Sequence, residues 1–482
     1  MRKNYEIQYE IGIDPIECIN IPLTRHELHP VLRSLQYIYT EKVLLDKILN
    51  ILSSKIKLLN KGRPGLTIWE ILVLAVIRLT LDLDYDYLED QANHHMLLRG
   101  ILGANVFGGE GKKYPRQTII DNISKLDYSL INEVNKLVVE AGHNLTKISD
   151  DQSLEIKVDS YVIESNVHFP TDINLLWDSG RKALDIVNIV IGNVSVKGWR
   201  KIKHLRKMLK NSFIRLNKIA FKGGKNREER ITDATLNYLE TAIKISERIK
   251  ETSPELHLIA DDNVMSSFAL NELDYFEKML DKHIDLVYRR IIMDETIPHS
   301  EKLFSIFEDY TRWVNKGKSG NRIELGLPVT ICTDQFGFIV HHQIMEIEQD
   351  VEVAIPVANA LIENYHIKSI SFDKGYWNKT NYKEISEKVE HTIMPKKGKL
   401  NKEENNRERS LDFIIRRKKH SAIESNINGL EHHGLNRCPD KGKENFKRYV
   451  SLGILSYNLH KLGNVLQEND KKREKDSYPI AA

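Results

Sequence analysis

The stretch LEIKVD, residues 154–159, alternates apolar and charged side chains one by one. Successive side chains of a β-strand point to opposite faces, so this pattern predicts a strand with one apolar and one polar face. Asp159 closes the run on the polar face. The stretch therefore predicts the first strand of a half-buried sheet and a carboxylate that points away from its apolar side.

A second alternating stretch follows far downstream, with an apolar residue at every other position from Ile323 to Ile331. The segment from Asp334 to Gly337 has the composition of a turn, which predicts a hairpin with residues 338–345 as its returning strand. Beyond it the hydrophobic period switches between the helical and the strand type. The period predicts helices over 353–365 and 381–388, strands over 369–373 and 392–394, a basic polar loop over 396–409 and a long helix over 411–430.

These elements follow the order strand, strand, strand, helix, strand, helix, strand, helix. That order is typical of the ribonuclease-H-like fold, in which early strands pair antiparallel and later strand–helix–strand units cross over in parallel. We therefore predict an α/β protein: a ribonuclease-H-like mixed five-stranded sheet with a helical insertion, plus an N-terminal all-helical domain. The predicted boundaries are 1–150 for the N-terminal domain, 151–174 and 300–466 for the catalytic domain, 175–299 for the insertion and 467–482 for a charged tail.

The N-terminal region begins a strong helix after the breaker Arg63-Pro64-Gly65. Thr67 and Glu70 have the spacing of a capping box, and an apolar run follows them. A second helical run starts near Pro115. Periodicity leaves three roles open for this domain, namely DNA binding, dimerisation and a plain scaffold. The tail beyond Asn469 is rich in Lys, Asp and Glu, and we expect it to be disordered.

Three carboxylates fall at positions where the predicted fold brings them together. Asp159 lies on the first strand, Asp373 ends the fourth, and Glu424 lies on the last helix. In this fold the first and fourth strands are neighbours and the last helix packs across them. Three ionised carboxylates repel one another unless a cation neutralises them. Oxygen-only ligands suit Mg²⁺ or Mn²⁺, and a pair of such ions stabilises phosphoryl transfer.

At these residues the sequence resembles the DDE transposases of bacterial insertion sequences, close to the ISNCY group. The first-Asp motif is similar over 158–178, including IESNVHFPTD at 163–172, and the second-Asp motif over FDKGYW at 372–377. The Glu block is similar over HSAIESNI at 420–427 and HGL at 433–435. Further similar stretches are GRPGL at 62–66, TIPHSEK at 296–302 and KGK at 316–318. The resemblance covers most of the chain.

The resemblance implies that Asp159, Asp373 and Glu424 are catalytic and hold two Mg²⁺ or Mn²⁺ ions. It implies DNA as the partner, both the terminal inverted repeats of a transposon and a target. The expected reaction is hydrolysis at the transposon end, followed by attack of the freed 3′-hydroxyl on target DNA. We also expect a homodimer or higher multimer in a synaptic complex, located at the nucleoid in a bacterial cytoplasm.

The Glu block departs from the pattern of many related transposases, which have an Arg before the catalytic Glu and a Lys about two turns after it. His420 stands at the Arg-like spacing, and Glu431 replaces the Lys. Glu431 is therefore the alternative third ligand. Phosphate contacts on this helix are then expected from the nearby basic residues.

Basic side chains cluster strongly in the first part of the insertion, over residues 200–225. Such a run is either a solvated face or a phosphate-contacting surface. The residues predicted to contact DNA, including an aromatic that would stack on an unpaired base, are Arg206, Lys207, Lys210, Lys316, Lys318, Lys374, Trp377, Arg416, Arg417 and His420.

The composition limits the remaining classes of protein. Three widely spaced cysteines lack the spacing of metal ligands, and the longest apolar runs are too short to cross a bilayer. We therefore expect a cytoplasmic protein without a membrane partner. Two other functions stay open. One is a non-enzymatic DNA-binding protein derived from a transposase, which would not need the carboxylates; the other is a hydrolytic ribonuclease-H-like nuclease, which uses the same metal site.

Overall fold

The structure is a computed structural model that describes residues 15–24, 26–55, 65–104, 111–146, 153–192, 196–261, 264–315 and 323–477. The chain divides into two compact units. The first comprises Met1–Asn166 and Val314–Ala482, and the second comprises Val167–Trp313. Among the described residues, no helix has the combination of length and apolar character that crossing a membrane requires.

Helices form the described part of the chain before the first strand. One of them is buried along its whole length, and the predicted capping box of Thr67 and Glu70 opens it. The breaker at Arg63 and Pro64 lies outside the described residues. The helices are α1 (Leu28–Thr40), α2 (Lys42–Ser53), α3 (Ile68–Thr80), α4 (Tyr85–His94), α5 (Met96–Ile101), α6 (Arg116–Ile123) and α7 (Tyr128–Leu145).

The described residues form a mixed open sheet of seven strands. The strands are β1 (Leu154–Ser165), β2 (Arg312–Asn315), β3 (Ile323–Thr333), β4 (Ile339–Ile344), β5 (Ile367–Phe372), β6 (His391–Ile393) and β7 (Arg437–Cys438). Its main order is β2-β3-β1-β5-β6, with β4 also paired to β3 and β7 to β1. The α/β class is confirmed, but the prediction of five strands is wrong, since the sheet has seven. The two missed strands are β2 and β7, which have only four and two residues and show no alternation of apolar and polar side chains.

The pairing of the strands follows from their connections. β3 and β4 are joined by a tight turn and pair antiparallel, as predicted from the hairpin pattern. In this turn the Asp334 carboxylate accepts the backbone N–H groups of Phe336 and Phe338, both at 2.9 Å. β1 pairs antiparallel with β3 but parallel with β5, and β5 is parallel with β6. The centre of the sheet is therefore β1, which has a neighbour of each type.

The second unit is a helical body with its own hydrophobic core. Its helices are α8 (Asp172–Ile191), α9 (Ile202–Phe221), α10 (Arg227–Asp261) and α11 (Val264–Val287). Leu209 of α9, Tyr238 of α10 and Leu280 of α11 are buried in that core. At Gly180 of α8 an added Cβ would come within 2.6 Å of the Leu209 side chain. This glycine lets α8 and α9 pack closely.

The remaining helices belong to the first unit. They are α12 (Asp350–Asn364), α13 (Lys379–Ser386), α14 (Lys402–Glu408), α15 (Leu411–His420), α16 (Ala422–Leu430) and α17 (Lys443–Ser477). The positions of α12, α13, β5 and β6 agree with the sequence pattern to within a few residues. Three other predictions for this part of the chain are wrong.

The predicted loop at 396–409 contains α14, which a capping box between Asn401 and Glu404 begins. The predicted long helix is two helices, α15 and α16, that meet at Ser421. The Ser421 hydroxyl donates to the Lys418 carbonyl at 2.8 Å, an interaction that competes with helix continuation. The charged tail, expected to be disordered, continues α17 as far as Ser477, and residues 478–482 lie outside the described residues. Within this last part of α17, Asp470 forms an ion pair with Arg33 at 2.9 Å.

Candidate active site

Asp159 lies on β1, and Asp373 lies directly after the end of the adjacent parallel strand β5. Val158 of β1 pairs in register with Phe372 of β5, and each aspartate is the next residue along its strand direction. β5 ends at Phe372, so Asp373 opens a short 3₁₀ turn over Lys374–Tyr376. Because the two strands run in the same direction, both carboxylates come to the same part of the sheet.

Glu424 belongs to the first turn of α16, and this helix contacts β1. Ile423, Asn426 and Leu430 are the buried residues of α16, whereas Glu424 is exposed. The helix therefore packs through its apolar stripe, and Glu424 remains at the surface beside the strand. Its charge acts on Asp159. The structure thus brings the three predicted carboxylates into one region.

The environment of Asp159 raises the pKa of its carboxyl from 3.8 to about 6. Burial is the largest cause, and the charges of Asp373, Asp350 and Glu424 add to it. The backbone N–H of Ser160 opposes the shift by donating to Asp159 Oδ1 at 2.7 Å. Like charges that gather without a cation disfavour ionisation of one another. A neighbouring positive charge would therefore favour the ionised form of Asp159.

Asp350 is a fourth carboxylate of this region, and sequence analysis missed it. It lies in the first turn of α12, is half-buried, and accepts the Ser160 hydroxyl at 2.7 Å. The available signal was an acid at the start of a helix that directly follows a strand. That signal is weak, because acids are common in first turns for their favourable interaction with the helix dipole.

Glu431, the alternative third ligand, lies one helical segment beyond Glu424, in a π-type turn over Glu431–Leu435. It is close to Tyr161, whose pKa is raised by burial and then by the Glu431 charge. The charge of Glu424 contributes to the raised pKa of Asp159, after burial, whereas the charge of Glu431 contributes to that of Tyr161, two residues further along β1. Of the two glutamates, Glu424 therefore has the stronger claim to the site.

The chemistry of the four carboxylates fits a hard divalent cation such as Mg²⁺ or Mn²⁺, which prefers oxygen ligands. Within the described residues, no group of three or more Asp, Glu, His or Cys side chains is spaced to enclose a metal ion. The fit therefore rests on the type of donor and on the raised pKa of Asp159, which burial causes first and the neighbouring carboxylates increase.

His420 ends α15, and its Nδ1 lies 2.9 Å from the hydroxyl of Ser371 on β5. Burial lowers the pKa of this imidazole to about 4; the Asp373 charge opposes the shift, and the charges of Arg417 and Lys157 add to it. His420 is therefore neutral near pH 7. It lies close to Asp373, and it offers a phosphate a hydrogen bond rather than a positive charge.

The basic residues around His420 are not equivalent. Arg416 forms ion pairs with Asp412 at 2.8 Å and with Glu155 at 3.2 Å, so its guanidinium already bonds within the protein. Lys419 shares the Glu155 carboxylate at 2.9 Å. Arg417 is exposed on the same helix. Of the two arginines predicted to contact DNA, Arg417 is thus the more accessible.

Lys374 and Trp377 follow Asp373 directly in the chain. Lys374 is exposed, and Trp377 is half-buried. The Arg407 guanidinium carbon lies 5.1 Å from the centre of the Trp377 ring and 4.2 Å from that of Tyr382. Trp377 is thus part of an aromatic and cationic cluster, and an incoming base would have to compete with Arg407 for one ring face.

The basic run of the second unit lies on α9. Arg206, Lys207 and Lys210 are all exposed there, and Arg206 forms an ion pair with Asp185 at 3.1 Å. This face is accessible to a phosphate backbone, while the apolar side of α9 packs into the core of the unit. Lys316 and Lys318 lie outside the described residues.

In comparisons with known proteins, no family model, no curated protein and no solved structure matches this chain.

Proposed function

We propose that this protein is a DDE-type transposase that cleaves DNA at transposon ends and joins the freed end to target DNA. The observation that carries the proposal is the position of Asp159 on β1 and of Asp373 directly after the adjacent parallel strand β5, with Glu424 on the helix that contacts β1. The resemblance of the surrounding motifs supports the same conclusion.

The strand pairing supports a ribonuclease-H-like arrangement of the catalytic domain. With the two short strands left aside, the order across the sheet is β4-β3-β1-β5-β6. In this order the pairs β4–β3 and β3–β1 are antiparallel, whereas the pairs β1–β5 and β5–β6 are parallel. This is the arrangement that the predicted element order requires, in which the carboxylate-bearing first and fourth strands are neighbours.

Asp159, Asp373 and Glu424 would hold two Mg²⁺ or Mn²⁺ ions. When bound, such ions stabilise the attacking and leaving oxygens of an in-line phosphoryl displacement. The protein's own part is to place the oxygen ligands: the Ser160 N–H fixes one oxygen of Asp159, and the end of β5 fixes Asp373 beside it. Neutral His420 next to Asp373 is suited to donate one hydrogen bond from its ring N–H to a phosphate oxygen.

DNA would be bound through the exposed basic side chains near the site and on α9. Phosphate contacts provide most of the salt-dependent affinity of such proteins without reading the base sequence. Arg417 and Lys374 are the exposed candidates of the first unit, and Arg206, Lys207 and Lys210 those of the second. The proposal includes assembly of two or more copies on paired transposon ends.

The proposal is tested with oligonucleotides that carry the inverted repeats flanking the reading frame, in the presence of Mg²⁺. We expect cleavage at the repeat end and joining to a target duplex. Asp159→Asn and Asp373→Asn should each lower both rates on the order of 1,000-fold, since each removes several kcal/mol of charge stabilisation. Glu352→Gln, which alters an exposed acid of the first turn of α12, is the matched control and should retain activity.

The products distinguish the alternatives. Cleavage without joining would identify a hydrolytic nuclease. A nuclease and a transposase of this type use the same carboxylates, so the products are needed to distinguish them. Binding of the repeats without any cleavage would identify a DNA-binding protein. Full activity in Asp159→Asn or Asp373→Asn would refute the assignment of the carboxylates.

A further inference from the structure

Asp350 is positioned by both of the chain segments that carry the two aspartates of the proposed site. It begins α12, six positions after Ile344 at the end of β4, and lies 191 positions after Asp159 in the chain. Its side chain is half-buried. Its two carboxylate oxygens have different neighbours: one lies at Ser160 within β1, and the other lies at the turn that follows β5.

The first oxygen contacts the segment of Asp159. The hydroxyl of Ser160 donates to Asp350 Oδ1 at 2.7 Å, while the backbone N–H of the same serine donates to Asp159 Oδ1 at 2.7 Å. One residue therefore binds both carboxylates through two separate donors. This arrangement fixes the distance between Asp159 and Asp350 through a single rigid strand residue.

The second oxygen contacts the segment of Asp373. A Cβ added at Gly375, two residues after Asp373, would lie 2.7 Å from Asp350 Oδ2. Real Cβ atoms essentially never approach another atom this closely, so any side chain at position 375 would displace Asp350 or the turn. The glycine thus leaves space for a carboxylate directly against the turn that follows Asp373.

We propose that Asp350 is a fourth carboxylate of the metal site, placed between the Asp159 and Asp373 segments to strengthen divalent-cation binding. The inference rests on the proposed function, because it assumes that Asp159 and Asp373 hold metal. Its supporting observation is geometric: Ser160 donates to both Asp159 and Asp350 at 2.7 Å, and Asp350 Oδ2 lies against the turn that follows Asp373. A carboxylate so close to the other ligands adds charge attraction for a dication even where it does not bind the ion directly.

If Asp350 only stabilised the fold, its negative charge would have no effect on metal binding. An acid in the first turn of a 15-residue helix stabilises that helix through the backbone dipole, and an acceptor for Ser160 needs no charge. Asp350→Asn keeps the size of the side chain and an oxygen acceptor for Ser160, but it removes the charge. Metal affinity therefore separates the two roles, because a helix-stabilising acid would not change it.

The experiment is a Mn²⁺ titration of the full-length protein, in which electron paramagnetic resonance measures free Mn²⁺ without any need for DNA or turnover. We expect Asp350→Asn to weaken Mn²⁺ binding by about 10- to 100-fold. Ser160→Ala, which removes only the hydroxyl that orients Asp350, should weaken it less but in the same direction. Glu352→Gln, a neutralised acid two residues along the same helix turn, should bind as the wild type does.

Asp159→Asn makes the outcomes distinguishable. If Asp159→Asn loses Mn²⁺ binding while Asp350→Asn binds normally, the inference about Asp350 is wrong and the proposed metal site stands. If the wild type binds no Mn²⁺, or if Asp159→Asn binds as tightly as the wild type does, the proposed function itself loses its metal site. Equal weakening in Asp350→Asn and Glu352→Gln would also overturn the inference, because it would indicate a general effect of helix charge.

Discussion

Replacing Asp159 with Asn should stabilise the metal-free protein at high pH and leave its stability unchanged at low pH. In the folded protein the pKa of this carboxyl is raised from 3.8 to about 6, first by burial and then by neighbouring carboxylates. The unfolded chain keeps the ordinary pKa. The folded state therefore holds the proton more tightly, and the stability that protonated Asp159 contributes is fully present below about pH 4 and is lost as the pH rises through 6.

The magnitude follows from the two pKa values. The difference between 3.8 and about 6, at about 1.4 kcal/mol for each pH unit, gives at most roughly 3 kcal/mol of lost stability at pH 8. Asparagine carries no charge, and its Oδ1 still accepts the Ser160 N–H. The variant should therefore gain up to roughly 3 kcal/mol at pH 8 and nothing near pH 4.

The assay is thermal unfolding in the presence of a chelator at several pH values between 4 and 8. For a unit of this size, roughly 3 kcal/mol corresponds to a Tm higher by about 4 °C at pH 8. Glu352→Gln, a change at an exposed carboxylate of the same unit, should show no such pH-dependent gain. Added Mg²⁺ should stabilise the wild type more than the variant, because only the wild type keeps the full ligand set.

Two results would refute this reasoning. One is an Asp159→Asn variant that is no more stable than the wild type at pH 8 without metal. The other is a gain of the same size at pH 4 and at pH 8, which would show that packing rather than charge is responsible.

Three further predictions concern other parts of the chain. Arg78, which is buried, forms an ion pair at 2.7 Å with half-buried Asp440. Asp440→Ala removes the carboxylate from this buried guanidinium and should lower the free energy of unfolding in urea by about 3–5 kcal/mol; a loss below about 1 kcal/mol would contradict the contact. Because the pKa of His420 is about 4, His420→Gln should leave the shape of the pH–rate profile between pH 5.5 and 8 unchanged; an inflection lost in that range would show that the imidazole titrates there. Neutralising three exposed lysine and arginine side chains of α9 should reduce the salt slope of DNA affinity by about 3, whereas an unchanged slope would indicate a solvated face. These side chains are Arg206, Lys207 and Lys210.

Elements with strong local signals could be predicted from the sequence. The alternation of LEIKVD corresponds to β1, and the alternation from Ile323 corresponds to β3. Turn composition at Asp334 and the capping pair at Thr67 were equally informative, because each depends on residues within a few positions of one another. The strands β2 and β7 gave no signal, since a period of two cannot be seen in so few residues.

Local patterns failed where two tendencies competed within a few residues. Asn401 and Glu404 have the spacing of a capping box, but the polar composition around them favoured a loop. The break between α15 and α16 at Ser421 was hidden inside one apolar period. The charged tail had the composition of a disordered segment, yet the structure continues it as a helix, where Asp470 pairs with Arg33 from the other end of the chain.

The sequence by itself predicted β1, the strand that precedes Asp373 and a helical conformation at Glu424, because periodicity is a property of the local chain, but it did not predict the helix break at Ser421. Only the tertiary structure brought Asp350 next to Ser160 and distinguished Arg416, which bonds to Glu155, from exposed Arg417. These relations join residues roughly 190 and 260 positions apart. A periodic pattern in the sequence does not reach over such separations along the chain. Contacts between these residues form only when strands pair and helices pack in the folded protein.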